Sequence, residues 1–495
     1  MEGRINLIDR ISPIGNFCTF LKTLRCSYVA YQDIWKIIKE ERSKGNFRSL
    51  QYIPRLNSSA YESVLCYNNA ACSLEQTLHE LVIRDNSMAL IEGKTSHFPK
   101  VHTIFLKFAY YVDAYVMNRY MERLPSATVV DISIKNYGGL NEDQDVTEFD
   151  IHVSPKVKKL TVKHPYCYNK FYIYIMKAFP NLQKVNINVR GFDTKKEPMP
   201  TEEAVQFLEY LLRVPKFSAF RIPVESQNDV FIGLLDNNRH IKTLDITYVM
   251  ESLSGSDFVS MESLSDVKDG IVINIFRKGK TSLMLPHIGL VQESGKDLLY
   301  LHIDMGIETF GHKAKVLRRK RGIALSSILQ RCPRLLGVSI YNTALDAFGI
   351  YLEFQESIEI RDYITILGSL IRSSFLSDLS DRVSFTSQFT LTNCQFFDEA
   401  ANDWIREIDM PHTQFDEIRY EEEILSNKVC LKLIKTICNT VSWYVSKGAY
   451  LIACIEKQYE DSVKNKNIPS LFIRCKDVHA VIISLTEIHV VLNLK

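Results

Sequence analysis

The chain repeats a six-position pattern, apolar-x-x-apolar-x-apolar, at intervals about the size of one helix plus one strand. In six places a proline stands two residues ahead of it. The clearest copies are Pro99 to Leu106 (PKVHTIFL), Pro155 to Val162 (PKVKKLTV) and Pro180 to Ile187 (PNLQKVNI). Pro215 to Ile222 (PKFSAFRI) and Pro333 to Ile340 (PRLLGVSI) follow the same form, and Pro125 to Ile132 has Ala127 in the first apolar slot. The middle apolar residues are Leu24, Leu50, Leu81, Ile104, Val130, Leu160, Val185, Phe220, Leu244, Ile273, Leu301 and Val338. Their spacing runs from 23 to 37 residues with a mean near 28.5. A fixed period of this size implies units that cannot bury their apolar faces alone and must stack.

Between these strands the apolar period changes to that of a helix. Tyr172, Ile173, Ile175, Met176 and Phe179 share one helical face, and Thr201 to Val214 opens on an N-cap residue with two acids in its first turn. Ile323 to Leu329 and Asp362 to Ile371 are expected to be helical in the same way. Proline suits the junction, because it cannot continue a helix and drives the residue before it towards an extended backbone. The expected fold is therefore α/β: a right-handed solenoid with a parallel concave sheet and helices on the convex side.

Residues 1–345 are expected to form about twelve irregular units, and residues 346–495 irregular terminal repeats with a helical C-terminal cap. In the second part Val383 to Leu391 and Phe415 to Tyr420 look like strands, as do His479 to Leu485 and Ile488 to Leu494. Asn427 to Tyr459 is expected to be one long helix, with Leu431, Ile434, Ile437, Val441 and Val445 on one stripe. A separate small α+β domain is the alternative.

Composition narrows the function classes. Apolar content of 46% with 24% charged residues is that of a globular chain, not of a disordered or membrane protein. Charges break the N-terminal segment, so it lacks the apolar core of a signal peptide, and Lys447 and Gly448 interrupt the most apolar long stretch, Val441 to Cys454. The expectation is a soluble protein of the cytoplasm and/or nucleus, with no membrane contact. Sixty basic against fifty-eight acidic residues (net +2) argue against wholesale nucleic-acid binding. The eleven cysteines stand singly with no C-x-x-C pair, as reduced thiols packed like small apolar residues do.

The units at Gln330 to Leu335 (QRCPRL) and Ala178 to Leu182 (AFPNL) carry a resemblance. Over residues 15 to 345 the chain resembles the leucine-rich repeat superfamily in its long, helix-bearing form, and most closely the repeat region of fungal F-box proteins. Two features depart from that pattern. Pro165, Arg190 and Thr343 stand where many such repeats carry a buried asparagine, and Phe20 to Cys26 already reads as a repeat strand, with no F-box ahead of it. The resemblance implies a protein target on the concave face, and a Skp-type adaptor as partner only if an F-box belongs to the intact protein.

No catalytic machinery is visible. Gly306 to Lys313 approaches a phosphate-binding loop, but His312 displaces the lysine and Ala314 replaces the hydroxyl residue that would hold magnesium. There is no H-E-x-x-H, G-x-S-x-G or dinucleotide-type glycine turn, hence no catalytic residue, cofactor or metal ligand to name. Side chains alternate along a strand, so residues flanking the last apolar position should project onto the concave face. These include Asp131, Lys163, Asn186, Arg221, Asp245, His302, Asp304 and Tyr341, together with Ser133, Thr161, Asn188, Thr247 and Ser339. A basic run, Lys313, Lys315, Arg318, Arg319, Lys320 and Arg321, would suit a nuclear-localisation signal or an acidic partner, and acidic stretches at Asn141 to Asp150 and Glu421 to Glu423 offset it. The expected function is a protein-binding scaffold, the substrate-recognition module of an F-box/SCF-type ubiquitin ligase. A stand-alone regulatory or inhibitory repeat protein is the alternative, and a nucleic-acid-associated factor the third.

Overall fold

The computed structural model describes residues 20–24, 31–84, 97–108, 114–134, 150–164, 169–189, 199–225, 230, 241–251, 257–264, 270–278, 297–304, 329, 332–345, 357–397, 405–464 and 468–494. The fold is α/β, with a large, mostly parallel sheet. It divides into two compact units, Met1–Glu225 with Ser260–Glu262, and Ser226–Val259 with Ser263–Lys495.

The first unit alternates helices and strands in chain order: α1 (Tyr31–Ser43), α2 (Tyr61–Ser73), β1 (Glu80–Arg84), β2 (Thr103–Phe108), α3 (Ala114–Glu122), β3 (Val129–Ile134), β4 (Lys159–His164), α4 (Asn169–Ala178), β5 (Lys184–Val189), α5 (Thr201–Leu212) and β6 (Lys216–Val224). Strands β1 to β6 pair in sequence, all parallel. One buried residue per strand lies in register across the ladder: Leu81, Ile104, Val130, Leu160, Val185 and Phe217. Burying each such side chain contributes about 2 kcal/mol. The prolines act as expected of position i+1 in a tight turn. Val101, Ala127, Val157 and Leu335 donate backbone N–H bonds to the carbonyls of Phe98, Leu124, Ser154 and Cys332, closing turns over Pro99, Pro125, Pro155 and Pro333.

Two repeat positions of this unit differ from expectation. Phe217, not Phe220, is the residue paired with Val185, and Phe220 is 38% exposed. After α5, Val214 takes the first apolar slot, so the strand begins directly behind Pro215 without the proline turn. At the start of the unit the bridge of Thr23 with Tyr52 makes Ile53 the middle residue in place of Leu50, and both are buried.

The second unit holds β7 (Thr243–Glu251), β8 (Asp257–Ser263, whose Ser260–Glu262 fall in the first unit), β9 (Gly270–Lys278), β10 (Tyr300–Asp304), β11 (Gly337–Tyr341), β12 (Ala344–Leu345), β13 (Ile358–Leu367), β14 (Leu370–Arg372), α6 (Ser373–Ser380), β15 (Val383–Thr392), β16 (Gln395–Phe397), β17 (Ile405–Glu422), β18 (Cys430–Lys435), β19 (Thr440–Lys447), β20 (Tyr450–Cys454), α7 (Glu456–Val463), β21 (Ser470–Leu485) and β22 (Ile488–Asn493). Its parallel ladder runs β9, β7, β10, β11, β13, β15, β17, β21. A register of buried residues runs through it as Leu244, Leu301, Val338, Ile364, Phe389, Ile418 and Val481.

Here the structure corrects several expectations. Ile273 does not mark a successive unit, since β10 pairs with β7 directly and β9 lies on the other side of β7. Asp362 to Ile371 is not helical. Ile364 and Ile366 alternate in β13 as buried β-branched residues, and Gly368, with φ of +58°, ends the strand. The repeat therefore continues past residue 345. Asn427 to Tyr459 is not one helix either. It is the antiparallel meander β18, β19, β20, leading into α7, with Asn439 and Gly448 turning the chain at positive φ. The apolar stripe that suggested a helix is split: Leu431 is buried, while Ile437 and Val441 are exposed. The strands expected at Val383 to Leu391, Phe415 to Tyr420 and in the tail are β15, β17, β21 and β22.

Corners of a second kind mark this unit. Asn342, Gly368 and Asn393 follow β11, β13 and β15 in the left-handed region, and each donates its N–H to the next strand, at Leu367, Thr392 and Glu421. Beyond each corner the chain enters a short strand, and β12, β14 and β16 form a separate three-stranded parallel sheet. A Cβ on Gly368 would lie 2.7 Å from the Asn342 side-chain oxygen, so one corner packs on the next.

Candidate partner-binding faces

Each unit presents one sheet face on which polar residues alternate with the buried ladder. In the first unit the face has three rows across neighbouring strands. The middle row is Phe105, Asp131, Thr161, Asn186 and Ser218. On one side stand Lys107, Ser133, Lys163, Asn188 and Phe220. On the other stand Thr103, Val129, Lys159, Lys184 and Lys216. Parallel strands set neighbours in a row about 4.8 Å apart. Asp131 is half-buried and Lys163 and Asn186 are exposed, with Asp131 and Asn186 in one row and Lys163 in the next. The side chain of Arg221 lies outside the described residues.

The cationic end of this face is built rather than merely solvated. Arg55 forms a paired hydrogen bond with both oxygens of Glu80, at 2.5 and 2.8 Å, and its guanidinium sits 4.3 Å from the centre of the Phe105 ring. The Lys107 ammonium lies 5.9 Å from the same ring. Burial pushes the Lys107 pKa down, and the nearby charges of Arg84 and Arg55 push it the same way. Arg84 is buried and donates to the Asn57 carbonyl. At the foot of the face Tyr52, His79 and His102 cluster, with the Tyr52 hydroxyl 3.2 Å from His102 Nε2 and the two imidazoles 5.1 Å apart. Burial, then the charge of His102, hold the His79 pKa below its ordinary value.

In the second unit the four expected residues come together. Asp245 and His302 are register partners on β7 and β10, with His302 Nε2 3.8 Å from Asp245 Oδ1. Asp304 and Tyr341 are partners on β10 and β11, one row along. The Tyr341 ring meets the His302 imidazole edge-on at 4.3 Å, and Asn342 donates to Asp304 Oδ1 at 2.8 Å. Burial raises the Asp245 pKa; His302 opposes that rise and Asp304 adds to it.

Beside this cluster Tyr300 and Tyr363 stack at 6.1 Å across Gly337. Only glycine allows that approach, since a Cβ at residue 337 would lie 2.6 Å from the Tyr363 ring and 2.9 Å from Tyr300. The Tyr300 hydroxyl donates to Asp362, and that bond pushes its pKa up to about 12. Neither tyrosine was expected at the site. Both stand one place ahead of the middle apolar residue, whereas the expectation drew on the flanks of the last one. Their signal was the recurrence of Tyr at that position in two units.

Two buried thiols of this unit are chemically quiet. Burial pushes Cys430 up to about 11 and Cys475 up to about 12, so neither is a thiolate at neutral pH. The eight cysteines among the described residues are thiols, not disulfides. Among the described residues no group of three or more His, Cys, Asp or Glu side chains is placed to hold a metal, and no helix is long and apolar enough to cross a membrane. The run Lys313, Lys315, Arg318, Arg319, Lys320 and Arg321 lies outside the described residues, as do Gly306 to Lys313 and residues 141–149. No model of a known protein family matches the chain, and no curated protein matches it.

Proposed function

We propose that the chain is a protein-binding scaffold of the leucine-rich-repeat kind, a solenoid whose sheet faces present preformed rows of side chains to a partner. The observation that carries this reading is the convergence of Asp245, His302, Asp304 and Tyr341 on adjoining strands of one face, held by the register of β7, β10 and β11. Strand pairing fixes their backbones before any partner arrives, so little ordering entropy remains to be lost on binding. Carboxylates, an imidazole and phenol rings in one patch suit a polar protein surface that supplies donors and a cation.

The narrower reading, a substrate-recognition module working through a Skp-type adaptor in the nucleus or cytoplasm, rests on the repeat resemblance. The test is capture of partners by the full-length protein and by the triple variant Asp245→Ala/His302→Ala/Asp304→Ala, with circular dichroism to confirm folding. Specific loss of captured partners in the variant is expected. Unchanged capture by a folded variant would remove the claim for this face, and failure of the intact protein to bind purified Skp-type adaptor would remove the ligase reading alone.

A further inference from the structure

The face of the first unit carries a lysine row, Lys159, Lys184 and Lys216, that the sequence did not single out. Over the fifteen positions of its three rows on β2 to β6 there are five lysines (Lys107, Lys159, Lys163, Lys184, Lys216) and one carboxylate, Asp131. The whole chain is nearly balanced, with 60 basic and 58 acidic residues, so this excess is local. Lys159, Lys184 and Lys216 are exposed register partners on three consecutive strands, about 4.8 Å apart. Among the described residues no carboxylate lies within 4.0 Å of any of the five ammonium groups. Holding like charges side by side costs energy that an acidic ligand would recover.

We propose that this face binds an acidic, extended segment of a partner protein. The proposal deepens the scaffold reading and rests on it for the class of partner, but it names a different unit and a different chemistry from the Asp245 patch. Between the lysine rows stand short hydrogen-bonding side chains, Thr161, Asn186 and Ser218, suited to peptide groups and carboxylates. Nucleic acid fits less well. Arg55 and Lys107 already cover the Phe105 ring, which removes it as a platform on which a base could stack.

The experiment uses the full chain and fluorescence anisotropy with two probes, a labelled deca-glutamate peptide and a labelled oligothymidylate of equal charge. The expected result is that the peptide binds and the affinity falls as salt rises. Lys159→Ala/Lys184→Ala/Lys216→Ala should weaken peptide binding about tenfold, the corresponding triple arginine variant should retain it, and Asp245→Ala/His302→Ala/Asp304→Ala should leave it unchanged. Circular dichroism checks that each variant is folded. Equal peptide affinity for the alanine variant and the parent overturns the proposal, as does tighter binding of the oligonucleotide. Loss of the Asp245-face partner with peptide binding intact would separate failure of one reading from failure of the other.

Discussion

The two units share one device and differ in nearly everything attached to it. Each aligns buried aliphatic or aromatic residues across its strands, among them Leu81 to Phe217 in the first and Leu244 to Val481 in the second. Proline turns at Pro99, Pro125 and Pro155 lead into strands of the first unit, and the second uses this turn at Pro333 ahead of β11. The second leaves its strands through left-handed corners into a small second sheet, and ends in an antiparallel meander. Their faces diverge as well, lysine-rich in one and rich in carboxylates and phenols in the other. The buried ladder fixes where face positions fall, and leaves their chemistry free to vary.

The largest effect that would test the shared device comes from the ladder itself. Leu160→Ala and Ile364→Ala each remove a fully buried side chain from a mid-ladder strand. Each should cost about 2–5 kcal/mol through lost burial and a residual cavity. Hydrogen exchange should show deprotection around β3 to β5 for the first variant and around β11 to β15 for the second. If either variant loosened both units equally, the description of two compact bodies with one common device would be wrong.

A smaller contrast separates the two ways of turning the chain. Gly368→Ala forces an L side chain into φ of +58° and brings its Cβ to 2.7 Å from the Asn342 oxygen, against which the amide can give way. Pro155→Ala leaves the turn geometry accessible and chiefly increases the freedom of the unfolded chain. The glycine variant should lose about 1–2 kcal/mol and the proline variant about half of that, read from denaturant midpoints. Equal losses would mean that the corners carry no special strain and that the two turning devices are interchangeable.

What the amino-acid order discloses follows the same division. The buried ladder is legible because an apolar residue at every second strand position has few other uses: Leu81, Ile104, Val130, Leu160 and Val185 fall in register in the first unit, and Leu244, Leu301 and Val338 in the second. Phe220 was misplaced because Phe217 and Phe220 offer the same pattern three residues apart, and only the partner strand decides between them. The out-of-order position of β9 could not be read locally, since its apolar run is that of any strand. Its link to β8, where the Leu264 N–H meets the Gly270 carbonyl, is a tertiary fact. The meander from β18 to β20 looked helical because aliphatic residues happened to recur at helical spacing. Asn439 and Gly448 were the signals against it. The lysine rows escaped notice because Lys159, Lys184 and Lys216 lie 25 and 32 residues apart, and only parallel pairing makes them neighbours.

The smallest effect is one of pH, and its sign differs between the faces. His79 in the first unit titrates below its ordinary 6.5, through burial and the neighbouring His102, Lys100 and Lys22. Its neutral form is favoured on folding, so the stability it contributes is present above 6.5 and is lost as the pH falls through its lowered value. Asp245 in the second unit titrates above its ordinary 3.8, because burial and Asp304 outweigh His302. Folding favours its protonated form, and that contribution is present below 3.8 and is lost as the pH rises through the raised value. Acidification from neutrality should therefore loosen β1 and β2 while tightening β7 and β10. Hydrogen exchange, corrected for intrinsic rates, reads both regions in one sample. His79→Gln should abolish the first response and Asp245→Asn the second, each without touching the other. A response of the same sign at both faces would mean that some more distant group, and not this pair, sets the pH dependence of the two units.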